Sequence, residues 1–208
     1  ISLISFLINI AISFMVNTGR TFGALIGING NALQFAGILQ TLFVLILGPI
    51  LGILVDKKGG LIILRIVSIS CILPSILLTF FMENDFIFIS CFIIYVLDIT
   101  GLMVSFGPFI MEVYGIQESV ILGGIMNGFS KFGDVITTVA AFAFSIVCET
   151  KDEEGKDTVD KTCLKQKYAI MYFISGICCC LSSLMLFFEK KDKFIYDDEI
   201  PNVETPIN

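Results

Sequence analysis

The sequence predicts an all-α integral membrane protein with six transmembrane helices, and three observations carry that expectation. Of the 208 residues 56% are hydrophobic and 15% are charged, against about 45–50% and about 25% in a typical soluble domain. The mean hydropathy is +0.92. The charges cluster between long apolar runs, most of them near the roughly 20 residues that a helix needs to cross a bilayer.

The first run is Ile1 to about Val16, followed by a polar, glycine-rich link from Asn17 to Asn31. The second runs from about Ala32 to Val55, the third from Leu61 to Phe81 and the fourth from Asp85 to about Met111. The fifth runs from about Glu118 to Cys148 and the sixth from about Tyr168 to Phe188. Residues 1–188 thus read as one six-helix bundle. Glu189 to Asn208 is a charged tail with Pro201 and Pro206, of the composition that stays flexible. Pro49, Pro74 and Pro108 are expected to kink or end helices near their positions. The chain starts inside an apolar helix at Ile1, with neither the basic start nor the small-residue cleavage site of a signal peptide. The expectation is a unit preceded by further helices.

The net charge of −6 comes mainly from the Glu149–Lys167 loop and the tail, and gives no reason to expect a nucleic-acid partner. That loop mixes acids and lysines without apolar periodicity. It reads as a solvated surface loop, with partner binding or gating as the alternative. The absence of histidine removes the commonest metal ligand and the usual near-neutral proton switch. No metal or cofactor is expected, and an intramembrane enzyme lacks a visible nucleophile–base pair. Cys71, Cys91, Cys178, Cys179 and Cys180 lie in apolar runs and read as small packing residues. Cys148 and Cys163 bracket the hydrophilic loop and form a disulfide if it faces an oxidising compartment.

Two helices carry polar faces. Ser2, Ser5, Asn9, Ser13 and Asn17 recur at spacings of three and four and form one stripe on the first helix. Unsatisfied polar groups are costly in hydrocarbon, so the stripe faces protein or water. Close helix packing through small polar residues is one reading. A water-filled pathway is the other, favoured by the size of Asn9 and Asn17. Gln40 on the second helix faces either a neighbour or the same cavity. The third and sixth helices carry few polar groups and read as lipid-facing scaffold.

Asp98 in the fourth helix and Lys131 and Asp134 in the fifth lie near the middle of their runs, hence near the bilayer midplane. An ionised side chain there costs at least about 2.5–3.5 kcal/mol, so these groups must be paired, hydrated or neutralised. Lys131 and Asp134, three residues apart, can meet on one helix face, and Asp98 could reach the same lysine. They either fix the packing of two helices, or Lys131 attracts an anionic group of a solute while the carboxylates balance it. A buried carboxylate can also carry a proton for symport, and Asp98 is the better candidate because Asp134 has a lysine on its own helix.

Between the second and third runs stands Gly52-Ile53-Leu54-Val55-Asp56-Lys57-Lys58-Gly59-Gly60. Gly59 and Gly60 allow a tight reversal, Asp56 can sit near the N-terminus of the next helix, and the lysines mark a water-facing end. The pattern G-x-L-x-D-[KR]-x-G resembles the signature loop of the major facilitator superfamily of solute transporters. The glycine-rich run Gly124-Ile125-Met126-Asn127-Gly128-Phe129-Ser130-Lys131-Phe132-Gly133 is similar to the fifth helix of that family's second half, where small residues let helices approach and slide. Gly60 departs from the fuller pattern, which often has a basic residue there; Arg65 would supply that charge to the inner surface.

The resemblance implies half of a twelve-helix transporter, built as two three-helix repeats. Its partners are the lipid bilayer, a small-molecule solute and an N-terminal six-helix half of the same protein. It implies that Gly52, Asp56, Lys57, Gly59 and Arg65 act as a conformational latch, and that the Asp56 turn and the tail face the cytoplasm. Lysine and arginine counts leave sidedness open, with six on each side outside Lys131. The expected function is alternating-access transport of a small polar solute, an organic anion or an amino acid. Asn9, Asn17, Gln40, Asp98, Lys131 and Asp134 are the candidate cavity residues. The rival is a non-transporting sensor or scaffold of the same architecture.

Overall fold

In the computed structural model the backbone is described for residues 2–151 and 157–189. The tail beyond Glu189, the centre of the Glu149–Lys167 loop and the side chains of Ser2, Ser5 and Glu118 lie outside that description. Almost everything described is helix: α1 (Ser2–Ile26), α2 (Gly30–Lys58), α3 (Gly60–Ser70), α4 (Ile72–Phe81), α5 (Asp85–Tyr114), α6 (Ile116–Val147) and α7 (Lys161–Phe188). A short hairpin, β1 (Glu149–Lys151) and β2 (Asp157–Val159), separates the last two helices. It is antiparallel, with Thr150 opposite Thr158. Among the described residues five stretches are long and apolar enough to cross a membrane: Gly30–Lys58, Gly60–Phe81, Asp85–Tyr114, Val120–Val147 and Lys161–Phe188. The chain is therefore built as a multi-pass membrane protein, in which helices satisfy their own backbone groups.

The two ends of the bundle are made differently. At one end Asn29, Asn84 and Asp160 each accept a hydrogen bond from a backbone N–H two residues on, opening α2, α5 and α7. At the other end single glycines, Gly59 at φ 93° and Gly115 at φ 86°, close one helix and open the next. Few residues besides glycine adopt that backbone, which allows a one-residue reversal.

Several expected boundaries shift. α1 runs through Asn17 to Ile26, so most of the expected link is helix. Its inner face is packed there: Phe22 stacks on Tyr168 of α7 with ring centroids 3.7 Å apart, while Asn17 and Arg20 are exposed. α7 starts at Lys161, not Tyr168, because Asp160 caps it through the Thr162 N–H at 2.8 Å. α5 extends to Tyr114, bringing Glu112 into the helix. The third span is broken at Cys71, one turn before Pro74, which lacks the N–H that would bond to Ser70. Pro49 and Pro108, in contrast, sit inside unbroken helices.

Burial refines the reading of the third and sixth spans as lipid-facing scaffold: each packs one side and leaves the other bare. Half of the most apolar stretch of Gly60–Phe81, Asp85–Tyr114 and Lys161–Phe188 is buried, against 6% in Gly30–Lys58 and 11% in Val120–Val147. α3 and α4 are wedged between α5 and α7. Small side chains make the seam: Ser183 donates to Ser68 at 3.0 Å, and a Cβ on Gly176 would lie 3.3 Å from that of Ser75. Small residues let helices approach closely where lipid provides no hydrophobic driving force. The bare faces are widest on α2 and α6, with Leu45, Val120 and Phe142 exposed, and the outer sides of α4 and α7 are also bare at Phe80 and Phe188.

Candidate functional site

A cavity of about 560 Å³ opens between α1, α5 and α6. α1 supplies Asn9, Ser13 and Asn17, three members of the predicted polar stripe. The aromatic group Phe14, Phe22, Tyr168 and Tyr172 holds the opposite side of α1 against α7, which turns the stripe toward α6. α5 supplies an apolar wall of Ile99, Leu102, Met103, Phe106 and Ile110. α6 supplies Asn127, Ser130, Lys131 and Asp134, together with Gly123. Positions 127, 130, 131 and 134 follow the i, i+3, i+4, i+7 pattern of one helix face.

The charges meet there. Lys131 Nζ donates to Asp134 Oδ2 at 2.9 Å, and Ser13 Oγ donates to Asp134 Oδ1, tying α1 to α6. The lysine side chain is 71% exposed and the aspartate 26%, at the middle of an apolar helix. Asn9 is buried at 6% exposure and Asn17 is exposed at the rim. Gly133 faces α1, where a Cβ would make ordinary contact with Asn9 and Ile10 at 3.5–3.6 Å. Gly124 and Gly128, expected to let helices approach, face open space instead.

Two expected cavity residues are elsewhere. Gln40 is half-buried on α2 and does not line the cavity. Asp98 does not reach Lys131. It lies about a quarter turn round α5 from the cavity wall and is buried at 5% exposure. It accepts from Ser70 Oγ and from Cys71 Sγ at 3.0 Å, at the break between α3 and α4. Cys71 is thus a donor rather than mere packing. Ser75 and Tyr95 share a hydrogen bond of 2.6 Å on the same seam.

The glycine turn also differs from its expected form. Asp56 and Lys57 are exposed, and no side chain of the turn caps α3. Glu112 of α5 takes that place: the Gly60 N–H donates to its Oε1 at 2.7 Å and the Leu61 N–H to its Oε2 at 3.3 Å. A carboxylate at a helix N-terminus is favoured by the free N–H groups and the dipole. Gly60 is required by this approach, because a Cβ would overlap the Phe109 N and the Ser105 O of α5. Gly52 lies within van der Waals reach of Val104 on the same helix. Arg65 brings its charge to a neighbouring helix end on the same side of the bundle as the turn. Its guanidinium donates to the Leu186 O at 2.9 Å and the Glu189 O at 2.7 Å, capping the C-terminal end of α7. Its charge opposes the negative end of that helix.

Cys148 and Cys163 are joined in a disulfide that clasps the ends of α6 and α7. Lys165 and Glu83 form an ion pair of 2.6 Å at the same end of the bundle.

Ser13 belongs to the stripe read from the sequence, whereas Asn127 and Ser130 were missed as cavity residues, although their helical spacing from Lys131 and Asp134 was readable. Glu112 was missed because the fourth helix was ended one residue before it. The chain matches no protein-family model, no curated protein and no solved structure.

Proposed function

We propose that this chain is a six-span unit of a transporter of the major facilitator type, moving a small polar solute by alternating access. The observation that carries the reading is the cavity itself: a charged pair with amide and hydroxyl groups, exposed at mid-depth of apolar helices. Such groups are costly in hydrocarbon and mark solute or ion pathways. α1 joins the five as a further span in this reading; its 25 residues extend about 37 Å, enough for a hydrocarbon core of about 30 Å. It runs alongside α6 and α7. The first helix of each proposed triplet, α1 and α5, contributes a cavity wall; of the second helices α6 does and α2 does not. The bare faces of α2 and α6, with Gly124 and Gly128 on the latter, are suited to a second helical unit that completes the cavity and rocks against this one.

Glu112, Gly59 and Gly60 join α2, α3 and α5 at one end and form the proposed latch. The disulfide favours an oxidising compartment at the opposite end, leaving the Asp56 turn on the cytoplasmic side.

Uptake into proteoliposomes tests the proposal, with amino acids, monocarboxylates and dicarboxylates supplied with and without a pH gradient. Saturable uptake of one class, abolished by Lys131→Ala, supports transport. Binding with no flux under any gradient assigns the protein to the sensor reading.

A further inference from the structure

We infer that the cavity selects a zwitterion, namely a free α-amino acid with an apolar side chain. Its carboxylate would meet Lys131 and its ammonium Asp134. The inference rests on the reading of this cavity as a solute site.

Charge balance is the first argument. Among the described residues lining the cavity there is one cation, Lys131, and one anion, Asp134. Asp98 belongs to the α3–α4 break and adds nothing to the cavity. A solute with net charge would offer a partner to only one member of the pair, whereas a zwitterion offers an opposite charge to each and keeps the sum at zero. The pair therefore argues against the organic anion that Lys131 alone would attract.

Spacing is the second argument. Lys131 Nζ and Asp134 Oδ2 are 2.9 Å apart. The ammonium and carboxylate of an α-amino acid are separated by a single carbon, so two closely spaced pairs can lie antiparallel, each charge beside its opposite. An ω-amino acid carries its charges several carbons apart and can satisfy only one end.

Hydrogen-bonding capacity is the third. Lys131 carries three protons and Asp134 takes one. Asp134 accepts one bond on each oxygen, from Ser13 and Lys131, and a carboxylate has about four acceptor sites. Both groups keep capacity for a ligand without breaking their own pair. Leu102, Met103 and Phe106 stand on the α5 side of the cavity and offer an apolar surface to the side chain.

The test uses the purified protein in proteoliposomes with labelled L-leucine, and equilibrium dialysis of the same label in detergent. Competitors are 4-methylpentanoate, which lacks the ammonium; 3-methylbutylamine, which lacks the carboxylate; and 6-aminohexanoate, an isomer of leucine with its charges at opposite ends. Leucine should bind, phenylalanine should compete, and each of the three analogues should be roughly 10- to 100-fold weaker, the loss expected for one charged hydrogen-bonding group. Asp134→Asn should reverse the order in favour of 4-methylpentanoate, since it leaves the lysine alone. Lys131→Arg should retain leucine where Lys131→Ala loses it. Uptake of 4-methylpentanoate or succinate as strong as that of leucine overturns zwitterion selection and leaves transport standing. Leucine binding without uptake leaves the selection standing and overturns transport. No leucine binding in either assay overturns the inference.

Discussion

Asp134 and Asp98 are both aspartates at mid-depth of apolar helices, and their surroundings are opposite. Asp134 lies in a cavity beside a lysine whose side chain is 71% exposed. Asp98 is 5% exposed and held by a hydroxyl and a thiol where α3 breaks into α4. The first has room for another partner; the second has its donors supplied by the fold. An intramembrane charge is therefore not by itself a sign of function. What distinguishes the two is whether the helix face carrying the charge is packed or open.

That contrast divides the molecule into a rear seam, where substitutions should alter stability, and a front cavity, where they should alter solute handling. The largest effect is expected at Gly60→Ala, which forces a Cβ into the backbone of α5. It should lower stability by about 3 kcal/mol or prevent folding, read as thermal unfolding in detergent. Next is Lys131→Ala, expected to weaken solute binding roughly 10- to 100-fold with an unchanged melting temperature. A drop in melting temperature with normal binding would make the pair structural and erase the contrast. Asp98→Ala should do the reverse, costing about 1–3 kcal/mol and leaving the affinity for solute intact. A solute affinity that fell with it would extend the site through α5 to the seam. Glu112→Gln keeps hydrogen-bond acceptance at Gly60 but loses the charge at the α3 N-terminus, so about 0.3–1 kcal/mol should be lost. The smallest effect on stability is expected at Gly128→Leu, where a Cβ meets nothing within 4 Å. If a second unit closes on α6 as proposed, this variant should melt normally and still lose uptake; normal uptake would count against closure on that face.

Sequence alone was enough to locate the five stretches long and apolar enough to cross a membrane, since runs of that length in lipid leave the backbone little choice but helix. It also gave the α1 stripe and the Lys131–Asp134 contact, because helical periodicity fixes which residues of one helix share a face. The polar run from Asn17 to Arg20 was less legible: local polarity argued for a link, and burial of Phe22 against α7 kept it helical. The 161–167 segment was similarly hidden by its charges.

What the tertiary structure decided is how each helix is rotated and which neighbour it meets. Asp98 and Lys131 sit at similar depth, yet the rotation of α5 sends one to the seam while α6 presents the other to the cavity. Gln40 is separated from the cavity for the same reason. Glu112 reaches Gly60 across 52 positions, and Arg65 reaches Leu186 across 121. Periodicity within a helix carries no information about such partners. They follow from side-chain volumes along the seams, where Gly60, Ser68, Ser75 and Gly176 let the backbones close and so fix which face of each helix is left for the cavity.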